Sequence, residues 1–152
     1  METFVGGIMH NLTIFEKENF EGIKEVEKQT PPHFGYVYIL EYGNMLKIGQ
    51  SKKPYGRLQT LKMQCTNYAD KEIGRFALTP KCTNYTKVEK RFHQIFAKYR
   101  KEGSELFDLS FEDAISQIES KTINYRDDSQ EMERKTDAFL NSMKKFVAGG
   151  NL

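Results

Sequence analysis

The sequence predicts a small α/β protein of the α+β kind, with a three-stranded, mainly antiparallel sheet flanked by helices. Three observations predict it. Gly35–Leu40 and Met45–Gly49 are aromatic and aliphatic runs either side of the turn-forming Glu41-Tyr42-Gly43-Asn44, the pattern of a β-hairpin. Residues 71–79 form a third β-like run that can pair beside that hairpin. Residues 85–99 carry Tyr85, Val88, Phe92, Ile95, Phe96 and Tyr99 at three- and four-residue spacing, an amphipathic helix.

Taken in order, residues 1–10 read as a loose lead-in. Leu12–Phe15 and Gly22–Val26 read as two short β pieces, and Pro31-Pro32 as a stiff junction. In the hairpin, alternation places Tyr36, Tyr38 and Leu40 on one face and Val37 and Ile39 on the other. Val37, Ile39, Leu46 and Ile48 form the core side, so Tyr38 and Lys47 stand together opposite it, beside Gly49. Ser51 and Pro54 open a helix over 54–65, with Leu58, Leu61 and Cys65 on its inner face. Asn67 and Tyr68 fall in the loop before the third strand, and residues 80–84 form another turn. Gly103 reads as a helix stop, 105–109 as a short strand, and Ser110 with Asp113 as the capped start of a helix over 111–120. Residues 121–128 are polar and turn-like. A last helix, 129–147, has a sparse apolar face suited to packing on the domain, pairing with a second copy or standing free. The expected division is an N-terminal extension at 1–32, a domain at 33–120 and a C-terminal helical extension at 121–152.

The composition excludes several classes. With 152 residues, 38% of them hydrophobic and 29% charged, the chain suits one modest globular domain with extensions. No apolar run is long enough to span a membrane, and the N-terminus lacks the pattern of a signal peptide. Cys65 and Cys82 match no metal or redox spacing and read as two reduced thiols, so a cytoplasmic location is expected. The net charge of +2 is unevenly spread. Residues 33–109 hold 14 Lys/Arg against 7 Asp/Glu, while both flanks are acidic. That surplus points to a polyanion partner.

The chemistry concentrates around the hairpin. About one helical turn beyond it, Arg57 can point back over Tyr38, Lys47 and Gly49. A phenol, an ammonium and a guanidinium around a bare glycine suit a phosphate ester.

Val37-Tyr38, Lys47-Ile48-Gly49, Arg57 ten residues after Lys47, and Glu89 on the helix after the third strand recur in order at the spacing of a known family. On these elements the stretch from His33 to Leu109 resembles the GIY-YIG nuclease superfamily, in the phage-type subgroup whose second motif reads KIG. The resemblance implies a divalent-metal-dependent endonuclease that hydrolyses DNA phosphodiester bonds. Glu89 is implied to bind Mg²⁺ or Mn²⁺, since magnesium takes oxygen ligands and keeps most of its waters. Tyr38 is implied to take a proton from the attacking water. A free phenol is a poor base, and Lys47 and Arg57 supply positive charge to correct that. Lys47 assists or binds phosphate, and Arg57 holds the scissile phosphate. Gly49 admits the backbone to the phosphate, Tyr36 lines the site, and His93, one turn after Glu89, aids water or metal positioning.

The chain departs from the family pattern at two places. Leu61 stands where many members have Tyr or His, and Gly103–Phe107 replaces a closing asparagine and resembles the Gly-Glu-Trp-Phe ending of the phage-type subgroup. Glu105 is there either a structural anchor or a second acidic group. Residues 11–29 also resemble, faintly, the opening strands of phage antirepressor-type proteins. The alternative function is a phage antirepressor-like nucleic-acid-binding regulator on the same fold, using the basic surface of residues 33–109 without turnover. DNA is the expected partner, no membrane is involved, and a homodimer through the C-terminal helix is an open expectation.

Overall fold

The structure, a computed structural model, describes residues 11–64 and 72–150, with side chains described as far as residue 147. Residues 1–10, and with them the expected lead-in, lie outside it, as do Cys65, Asn67 and Tyr68.

Five strands form one antiparallel sheet: β1 (Thr13–Phe15), β2 (Tyr36–Tyr42), β3 (Met45–Ser51), β4 (Ile73–Leu78) and β5 (Leu106–Phe107). Their spatial order is β1-β4-β2-β3-β5. The three expected strands are the middle of this sheet, and β1 and β5 widen it from three to five. β1 comes from the N-terminal segment and pairs with β4, Ile14 lying opposite Ala77. β2 and β3 are joined by the two-residue turn Gly43-Asn44. Gly43 alone of the pair has positive φ, 63°, the arrangement of a tight hairpin turn with glycine first.

Among the described residues there are five α-helices, α1 (Glu21–Lys28), α2 (Pro54–Gln64), α3 (Tyr85–Ile95), α4 (Phe111–Glu119) and α5 (Ser129–Gly150), of which α1 and α2 cover one face of the sheet and α3 and α4 the other. The stretch Gly22–Val26, expected as a strand, is part of α1. Ile23 and Val26 lie three apart on one face, Ile23 is wholly buried and Val26 packs beside it, so packing at helical spacing overrides a β-like composition. The Ser110 cap is as expected: its hydroxyl accepts a hydrogen bond from the Asp113 amide at 3.1 Å.

The sheet separates two cores. On one face Val37, Ile39, Leu46 and Ile48 pack against Val88, Phe92 and Phe96 from α3 and its end, and against Phe111, Ala114 and Ile118 from α4. On the other, Tyr36, Tyr38 and Leu40 pack with Phe76, Leu58 and Leu61 of α2, and Ile23 of α1. The face carrying Tyr38 is therefore itself a core, roofed by α1 and α2.

The termini are tied to this body. The Asn11 side chain donates to the carbonyls of Ile118 and Lys121, and the Tyr125 hydroxyl donates to the Asn11 carbonyl. Ile123 and Tyr125 of the segment before α5 pack on the first core.

One ion-pair network crosses the sheet to α4. Arg75 of β4 donates to both carboxylate oxygens of Glu41 on β2, at 2.8 and 2.9 Å, and to Glu112 at 2.6 Å, while its guanidinium stacks over Phe111. The Arg75 hydrogen bonds hold the Glu41 carboxyl below its ordinary 4.5. A carboxylate with a lowered folded-state pKa stabilises the fold above about 4.5, and that contribution disappears as pH falls through the folded-state value. Glu41→Gln should therefore cost about 1–2 kcal/mol at pH 7, a charge-assisted bond at a partly exposed site. Thermal unfolding of both proteins between pH 7 and pH 3 checks this. The gap in Tm should close below pH 4.5, and a gap independent of pH would exclude the linkage.

Candidate active site

Tyr38 and Gly49 are directly opposed in the β2–β3 ladder. The Tyr38 ring lies across the bare glycine, and a Cβ on Gly49 would sit 2.5 Å from the Tyr38 hydroxyl and 2.7 Å from Cζ. The ring is also stacked on Phe76, with centroids 5.5 Å apart and planes at 22°. A side chain larger than hydrogen at residue 49 would displace a tyrosine held on two sides.

This packing sends the Tyr38 hydroxyl towards α2, where the Arg57 Nε donates to it at 3.4 Å. Pro54 opens α2 directly after β3, so Arg57 falls in its first turn and reaches back over the sheet. Lys47, on the same face of β3, brings its ammonium within 3.5 Å of the Glu105 carboxylate, which immediately precedes β5.

Glu89 approaches from the other side of the sheet. β5 pairs with β3 only at Leu46 and Lys47, so β3 runs on beyond its neighbour. α3 fills that gap. Its His93 Nε2 lies 3.2 Å from the Ile48 carbonyl and 3.6 Å from Glu89 Oε2. A carbonyl can only accept, so Nε2 carries the proton. The His93 ring packs against Phe107. Glu89 Oε1 accepts from the Gln50 side-chain amide at 2.8 Å, and the Gln50 carbonyl oxygen accepts from Thr86 at 2.9 Å. Gln50 and Thr86 were not among the residues singled out from sequence. Their signal was position: Gln50 follows Gly49, and Thr86 lies three residues before Glu89 on the same helix face.

The structure thus joins Tyr38 to Arg57 through the hydroxyl, Lys47 to Glu105, and Glu89 to His93 and Gln50. It turns Tyr36 elsewhere: that hydroxyl bonds to the Thr30 hydroxyl at 2.8 Å, within the second core. Glu105 is drawn into the cluster as the counter-charge of Lys47.

The electrostatics correct one expectation. Positive charge was to bring the Tyr38 phenol down, and Arg57 does act in that direction. Burial acts more strongly the other way, and Glu105 and Glu89 add to it, so the phenol is raised above its ordinary 10. Lys47 is matched by Glu105. Arg57 is held more firmly protonated by its bond to Tyr38.

For a divalent cation the donor chemistry is limited but suitable. Among the described residues no group of three His, Cys, Asp or Glu side chains converges on one point. At the open end of β3, Glu89 presents a carboxylate with Oε1 bonded to Gln50 and Oε2 beside His93, and it retains lone pairs to spare. That suits a hard ion that keeps its waters and takes oxygen from a phosphate, and does not suit a closed zinc site.

The T5orf172 domain matches residues 35–124, more than half of the chain. The protein belongs to the T5orf172 family, a phage-associated domain related to the GIY-YIG nuclease-like fold. Neither curated proteins nor solved structures give a significant match. Among the described residues no helix is long and apolar enough to cross a membrane.

The contact between residues 38 and 49 can be tested alone. Gly49→Ala should destabilise the fold by about 1–3 kcal/mol, the cost of forcing a methyl into a packed site. Tyr38→Phe deletes the atom in closest contact, so the double variant should lose less than the two single losses added together. Urea unfolding of the four proteins measures this coupling, and strict additivity would exclude it.

Proposed function

We propose that the protein is a divalent-metal-dependent endonuclease of GIY-YIG type, with a KIG second motif, hydrolysing DNA phosphodiester bonds. The observation that supports it most is the assembly of Tyr38, Lys47 and Arg57 on one face of the hairpin with Glu89 at its open edge. The basic surplus of residues 33–109 and the family's kinship with nucleases agree with it.

Arg57 presents a guanidinium fork to the scissile phosphate and stabilises the charge that grows on it. Lys47 binds a second phosphate oxygen once the polyanion competes for it with Glu105. Tyr38 works as a neutral phenol, because burial disfavours its anion. It accepts the Arg57 hydrogen bond and offers its own proton to a phosphate oxygen or the attacking water, so its task is orientation. Gly49 brings bare backbone beside that group. His93 and Gln50 hold the Glu89 carboxylate in one orientation. Glu89 would hold Mg²⁺ or Mn²⁺, which when bound offsets phosphate charge and lowers the pKa of bound water.

A second reading, a nucleic-acid-binding regulator without turnover, is favoured by one observation. The resting site pairs Lys47 with Glu105 and keeps Tyr38 protonated. Such a protein would bind DNA with strong salt dependence and release no product.

Nicking of supercoiled plasmid with Mg²⁺ or Mn²⁺ separates the two. Wild type should cleave only with metal. Glu89→Ala and Arg57→Ala should each lose on the order of 10²–10³-fold in rate, with the folded state intact by circular dichroism. Tyr38→Phe should lose rate without a change in metal requirement. Cleavage that survives Glu89→Ala overturns the assignment, and salt-sensitive binding without cleavage by wild type establishes the regulator.

A further inference from the structure

α5 has no role in the site, and its surface is unusual. It runs 22 residues from Ser129 to Gly150, about 33 Å at the rise of an α-helix. It is tied to the body at its start, where the Asp128 amide donates to the Thr83 hydroxyl at 2.9 Å. From Glu133 to Val147 every residue is exposed. These include Phe139 at 62% and Phe146 at 76%. Helices in proteins gain most of their stability by packing an apolar face, and this one leaves its apolar side chains in water.

The apolar residues follow a repeat. Met132, Thr136, Phe139, Met143 and Phe146 recur at alternating steps of four and three, the seam of a coiled coil. The charges are graded along the same helix. Residues 129–138 hold three acidic and two basic side chains, net −1, and residues 139–147 hold only Lys144 and Lys145, net +2.

We infer that α5 is a self-association helix, pairing antiparallel with α5 of a second copy of this chain. An antiparallel pair centred near Asn141 opposes Phe139 with the partner's Met143 and Thr136 with the partner's Phe146, filling the seam from both sides. It also sets the acidic half of each helix against the basic half of the other. A parallel pair would set the basic half of each helix beside the basic half of the other and the acidic half beside the acidic half, which is unfavourable. A two-fold pair is closed, so association stops at the dimer. A nucleic acid would leave the phenylalanines in water, and the whole helix is net only +1, so the second copy is the better occupant.

Sedimentation velocity on the full chain, from about 1 to 100 µM, tests this. Wild type should show a concentration-dependent dimer. Phe139→Glu should weaken it at least about tenfold while circular dichroism and the unfolding midpoint of the body stay unchanged, because this side chain touches nothing in the core. Lys144→Glu with Lys145→Glu should weaken the dimer at low ionic strength, since acid then faces acid across an antiparallel pair. In a parallel pair the same swap exchanges one repulsion for another. A monomer throughout the range, a dimer indifferent to Phe139→Glu, or one indifferent to the double charge change each overturns the inference.

Discussion

The crossing of Tyr38 over Gly49 is the constraint on which the site depends. Two directly paired residues share a space that only a hydrogen side chain leaves open. The ring can lie flat against β3 because nothing projects there. It can be buried because Phe76, Leu58 and α2 close over it. Its hydroxyl then has one outlet, next to the first turn of α2, and Arg57 meets it there. The same burial that fixes the geometry also sets the chemistry. A phenol taken out of water resists ionisation, and one guanidinium does not reverse that. Position and protonation state therefore follow from one packing decision, and in the proposed function a tyrosine so placed serves a phosphate as a donor.

The shortness of β5 matters as much. Had it run the length of β3, the backbone from Ile48 to Gln50 would be paired and covered. It stops at Leu106 and Phe107, and α3 supplies the missing partner through His93. The helix that fills the edge carries Glu89, so an acidic group from one layer comes to the rim of the other. A sheet with helices on both faces normally separates its two cores. In the proposed function, the unpaired end of β3 is where groups from both layers would address one ligand.

Much of this was legible in the sequence, for reasons that can be named. The hairpin is two near-continuous aromatic and aliphatic runs either side of a glycine turn, and α3 has a long apolar stripe, so both announce themselves over many residues. The Ser110 cap is chemistry local to four residues. α1 was misread because Gly22–Val26 is short and its isoleucine and valine suit a strand. Only the second core shows that Ile23 needs a helix to reach Leu58 and Leu61. β1 and β5 have three and two residues, too few for any periodicity, and they exist because neighbouring strands offer them hydrogen bonds. Gln50 and Thr86 carry no pattern at all. Their significance is the relay from Thr86 through Gln50 to Glu89, which joins residues far apart in the chain. The sign of the Tyr38 shift was out of reach for the same reason. Counting cations nearby is possible from sequence, but weighing them against burial needs the roof of α2.

In the proposed function, the pairing of Lys47 with Glu105 would tie specificity to charge. At rest the site contains acidic groups that repel a bare phosphate, and the ammonium is already satisfied. A lone small anion gains little by displacing Glu105, because the carboxylate it evicts remains nearby and still repels it. A polyanion brings neighbouring phosphates that engage the wider basic surface of residues 33–109 at the same time. The cost of breaking one ion pair is then spread over many contacts. On this account Glu105 holds Lys47 in place when the site is empty and discriminates between a nucleic acid strand and the small phosphates of a cell, a function that needs the acid to be close, exposed and only singly bonded.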